Sequence, residues 1–151
     1  MSRAVPLLCS LWLASACAAA SVPQAWIDQA REAHLAADAG SVDALERLVG
    51  LVDTPPPESI APADARIVVQ DACFRLAHLS LGEGDATKAE TWADRGLSEG
   101  RQDDLFTANL LVARGAAREA LENAAGAAED YVDALRINAH LLELALAEGS
   151  P

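Results

Sequence analysis

Residues 123–138 read "NAAGAAEDYVDALRIN". Two apolar spacings run through them, Ala127–Tyr131–Ala134 and Val132–Leu135–Ala139. Steps of three and four are the period of a helix face. A helix that buries a face commonly places Leu there, but here two of the first three positions are Ala. Small residues let another backbone come close, so the stretch predicts a tightly packed helix pair. Gly115 precedes Ala127 by 12 residues, and Tyr131 and Ala134 follow it in steps of 4 and 3. Ala77, Ala89, Ala93 and Gly96 repeat those offsets 38 residues earlier. A repeated unit of this kind cannot bury its apolar face alone, so neighbours stack.

Working outward, punctuation sets the elements. No proline occurs between Pro23 and Pro55 or between Pro62 and Pro151, so both intervals permit long helices. Between them "TPPPESIAP", residues 54–62, predicts an extended linker. Six helices are predicted: about 23–38; 41–52 with Ser41 as N-cap; Pro62–Leu81; one capped by Asp85 and ending near Gly100; one starting after Asp103 and Asp104 and ending near Glu122; and about Ala125–Glu148. Breaks are alternately short and long, and strand alternation is lacking. The expectation is an all-α domain over residues 21–151, built from three consecutive antiparallel helix hairpins.

"RGAAREALENAAGAAEDYVDALRIN", residues 114–138, resembles the tetratricopeptide repeat family in its helix-A Gly and its helix-B Ala, aromatic and Ala. "LAHLSLGEGDATKAETWADRGLS", residues 76–98, is similar, with Ala93 at the aromatic position and Gly96 at the last Ala. "AWIDQAREAHLAADAGSVDALERLV", residues 25–49, is a further copy. The family repeat is about 34 residues, so the 38 here needs four extra, placed in "EGRQDD". The resemblance implies an α-solenoid with a concave groove lined by the first helices, a partner that is a protein or peptide, and no catalysis or cofactor. It places Asp71, Phe74, His78, Asn109, Val112 and Glu119 at the groove. It assigns Ala77, Ala89, Ala93, Gly96, Gly115, Ala127, Tyr131 and Ala134 to packing between and within hairpins. For Phe74 and Val112 the core is the alternative place. The rival architecture is an Ala-rich bundle with a structural or envelope-assembly role and no groove.

The chain carries 11 basic and 23 acidic residues, a formal charge of -12, which argues against nucleic acid and anionic lipid as partners. A basic peptide, a basic protein face or a cation remains compatible. Residues 1–20 predict a secretory signal peptide: "MSR", then the apolar run "AVPLLCSLWLASA", then small residues. "LASAC" is similar to a bacterial lipobox, which would make Cys17 the lipidated first residue of an exported, envelope-anchored protein. Cleavage before Ser21, giving a soluble periplasmic or secreted chain, is the alternative. Membrane attachment is expected only through that lipid.

Chemistry-bearing motifs are sparse. His34, His78 and His140 lack a second His or Cys at ligand spacing, and no catalytic or phosphate-binding signature occurs. An enzyme or metal protein using His78 and dispersed carboxylates is the third reading. His34 and Asp38, four apart, predict a surface contact. The carboxylates of "QDD" and "AED" read as solvated caps. Cys73 reads as a buried thiol, and Trp92 as filling a helix interface.

Overall fold

A computed structural model describes residues 22–148. The predicted signal peptide with Cys17, and cleavage before Cys17 or Ser21, lie outside them. Six helices follow: α1 (Val22–Asp38), α2 (Ala44–Asp53), α3 (Pro62–Gly82), α4 (Ala86–Ser98), α5 (Leu105–Ala120) and α6 (Ala124–Glu148). The described residues contain no strand, so the chain is all-α.

Local chemistry explains the boundaries. Pro62 sits in the first turn of α3, where a missing N–H costs nothing. Thr54, extended ahead of Pro55, ends α2. Asp85 accepts a hydrogen bond from the Lys88 N–H (3.0 Å) and Asp104 from the Thr107 N–H (2.9 Å), capping α4 and α5. The predicted cap at Ser41 is not used. Gly40, at φ 63°, turns the chain, and the Ser41 N–H bonds back to the Ala36 carbonyl (2.9 Å). Ser41 thus completes the end of α1, and Asp43 occupies the N-cap position of α2 without a side-chain cap.

The same closure recurs. Asp85 N–H bonds to Ser80 O (2.9 Å) around Gly84 at φ 80°, and Asn123 N–H bonds to Arg118 O (2.8 Å) around Glu122 at φ 62°. All three short connections therefore reverse the chain with a left-handed residue after the helix. Glu122 holds that place 38 residues after Gly84, without glycine's freedom.

Helices pack as α1 on α2, α3 on α4 and α5 on α6, with α3 and α5 also against the helices before them. Two apolar clusters result. The larger joins Trp26, Leu48, Leu51, Leu76, Leu110, Leu111 and Ile137 through all three pairs. The smaller is built of alanines, Ala77, Ala89, Ala93, Ala113 and Ala117, with Phe74 and Trp92 half-buried beside it. This is the close approach that small residues permit. A Cβ on Gly96 would stand 2.9 Å from Cys73 Cβ and 2.7 Å from Leu110 Cδ2. One on Gly115 would stand 2.6 Å from the Tyr131 ring. Of the eight predicted packing residues, all are buried except half-buried Tyr131.

Candidate functional site

The α1–α3 side carries an open cleft of about 580 Å³, lined by Ala37, Phe74, Arg75, His78, Leu79, Gly82 and Glu83. The helical period brings Phe74 and His78 onto one face of α3, with ring centroids 6.1 Å apart and planes tilted by 49°. Phe74 is half-buried against the core and His78 is exposed, so one forms the floor and the other a wall. Phe74 thus packs against the core and also lines the cleft.

Behind the cleft lies a charged cluster. Arg75 Nε donates to Asp71 Oδ2 (2.8 Å), and Arg75 Nη1 donates to Asp38. His34 Nε2 stands 3.4 Å from Asp71 Oδ2 without forming a hydrogen bond. The predicted His34–Asp38 contact is therefore replaced, because Arg75 reaches across from α3 and takes Asp38. Burial lowers the His34 pKa against the attraction of Asp71. The hydrogen bond from Arg75 holds the Asp38 carboxyl below its usual range. Asp71 is thus a held counter-ion and not a freely solvated groove residue.

The predicted α5 residues are not part of this cleft. Asn109 is half-buried, Val112 is 45% exposed, and Glu119 accepts a hydrogen bond from the Tyr131 hydroxyl (3.0 Å). Val112 is therefore a surface residue and not part of the core, the alternative place given for it.

Sequence reading missed the strongest polar constellation. Asp130, 2% exposed, accepts two hydrogen bonds from Arg114 (2.6 and 3.0 Å) and one from Arg118 (2.9 Å). Arg114 continues to Asp94 (2.7 Å) and Arg118 to Glu90 (2.8 Å), both on α4. Two guanidiniums of α5 thereby tie α4 to α6. The available signal was Arg114 and Arg118, four apart and on one helix face, beside the close-packed Gly115. Gln70, fully buried, likewise donates to the Gly96 and Gly100 carbonyls (3.2 and 2.9 Å). Arg66 bonds the Asp104 carboxylate 38 residues on (2.8 Å). These contacts lock the turn between α4 and α5 and build no reactive group.

Cys73 is fully buried, and burial pushes its thiol up to about 12. Among the described residues no three His, Cys, Asp or Glu side chains converge as a metal site would require. No described helix is long and apolar enough to cross a membrane. Compared with family models, with curated proteins and with solved structures, the chain finds no match in any of the three.

Proposed function

We propose that this chain is a non-catalytic scaffold of tetratricopeptide-like type, in which the three helix pairs form a short α-solenoid that binds a protein or peptide segment. The observation that carries the reading is the α1–α3 cleft: an apolar floor around Phe74 and Leu79, open to solvent, with Glu83 and the Asp38–Arg75 pair at its edge. Such a surface suits an amphipathic segment that inserts apolar side chains and sets basic ones against the acidic rim. The packing order supports the solenoid, since first helices touch first helices and each second helix touches the next first helix. The three turns that close alike support it too.

The chain is proposed to act in the cell envelope, anchored through lipid on Cys17. A Cys17→Ala chain should then leave the membrane fraction or stay unprocessed, and equal behaviour of both chains would remove the anchor. The groove is tested by a photo-crosslinking amino acid placed in the native envelope at His78, at Val112, or at Thr87 on α4 as an outer control. Adducts at His78, with fewer at Thr87, support the cleft. Adducts at Thr87 alone, or at no position in a folded protein, overturn it and favour a bundle with a purely structural role.

A further inference from the structure

Among the described helices α6 packs on α5 alone, and the opposite side of α6 carries a second apolar stripe. Ala128, Val132, Leu135, Ala139 and Leu142 follow one another in steps of 4, 3, 4 and 3. That is the seam of a coiled coil, with Val132 and Ala139 at one core position and Leu135 and Leu142 at the other. All are exposed, Val132 at 57%, Leu135 at 67% and Leu142 at 61%. Leu146, 65% exposed, continues the stripe. At 3.6 residues per turn the stripe lies about 140° around the helix from the buried Ala127, Asp130, Ala134 and Ile137. One helix therefore presents two separate packing faces. No residue from Leu142 to Glu148 is buried.

The charges flanking the stripe say what covers it. Glu129, Arg136 and Glu143 follow Ala128, Leu135 and Leu142 directly, at seven-residue steps with alternating sign. We infer that two copies of this chain pair through α6 as an antiparallel two-helix coiled coil, with Arg136 of each copy facing Glu143 of the other. In that register Ala139 opposes Leu142 of the second copy, small against large, and Leu135 opposes Leu146. Sliding by one heptad brings Arg136 against Arg136 and Glu129 against Glu143, which repel. A second heptad of sliding restores a Glu129–Arg136 pair but sets Ala128 against Ala139, a core of missing side chains. A parallel pair would place Tyr131 and Asn138 beside Arg136 and Glu143, with no opposite charge. The interface is isologous and closes on itself, so it gives a dimer and not a fibre.

The test is sedimentation of the full chain from micromolar to millimolar concentration, with circular dichroism to verify that each variant is folded. Wild type should shift from monomer to dimer, and Leu135→Glu with Leu142→Glu should remain monomeric. Arg136→Glu alone and Glu143→Arg alone should each weaken the dimer about tenfold, because two symmetric attractions become repulsions. The double exchange, Arg136→Glu with Glu143→Arg, should restore it. A folded wild type that stays monomeric throughout overturns the inference and leaves the stripe to another partner. So does a dimer that survives Leu135→Glu with Leu142→Glu. An unaffected Glu143→Arg, or a double exchange that fails to rescue, overturns the antiparallel register.

Discussion

Replacing Asp130 by Asn tests whether the buried charge cluster holds the second half of the fold together. Asp130 is 2% exposed, and its two oxygens serve three guanidinium contacts between 2.6 and 3.0 Å. Asn keeps the shape but loses the charge, and turns one acceptor into a donor that faces Arg N–H groups. Breaking a buried pair by removing one partner costs about 3–5 kcal/mol. The loss is trimmed here because Arg114 keeps Asp94 and Arg118 keeps Glu90, both more open to solvent screening. About 3 kcal/mol is the expected net destabilisation, roughly 10 °C in Tm for a domain of this size. Urea unfolding followed by circular dichroism measures it, with an unchanged m-value as the sign that the same surface unfolds. Glu129→Gln, one residue away on the exposed side, should change stability by less than about 0.5 kcal/mol. A loss below about 1 kcal/mol for Asp130→Asn would show that α4 and α6 do not depend on this cluster, and the reasoning from burial would fail.

Other expectations follow from single positions. Glu122→Gly should stabilise by about 1 kcal/mol in the same unfolding assay, since only glycine is at ease at φ 62°. A loss would mean that the Glu side chain contributes more than the backbone strain costs. Gly96→Ala should destabilise by about 1 kcal/mol or more despite Ala's helix propensity, because Cys73 Cβ cannot retreat. Gly115→Ala should cost less, since the half-buried Tyr131 ring can swing aside, and equal losses would refute that contrast. His34 has a lowered folded pKa, so the unfolded chain binds the extra proton first. Stability should fall as pH drops below about 6.5, and His34→Gln should flatten that part of the pH profile; an unchanged slope would count against it. Cys73 should resist thiol reagents at neutral pH until the protein unfolds, so fast labelling of the native chain would contradict its burial.

The sequence by itself determined the all-α class, the six helices to within a few residues, the Asp85 and Asp104 caps, the close approaches at Gly96 and Gly115 and a small residue at the buried Ala127. These rest on local chemistry: apolar period, proline, caps, and the steric size of a residue at a fixed offset. It also marked Cys73 as buried and Trp92 as packed against the core. What only the tertiary structure decided is where each polar group finds its partner. Asp130 stands in "AED" like a solvated cap, and becomes a buried hub because α5 delivers two guanidiniums from 12 and 16 residues upstream. Asp38 leaves His34 for Arg75, 37 residues away. Ser41 has the chemistry of an N-cap, yet its hydroxyl donates to the Asp43 carboxylate instead of accepting from a backbone N–H of α2. Val132, Leu135 and Leu142 are as apolar as Ile137, but only the packing of α5 picks which stripe of α6 is covered. Helix periodicity states that a face exists; which neighbour reaches it depends on chain reversals and long side chains acting over distances that no local window contains.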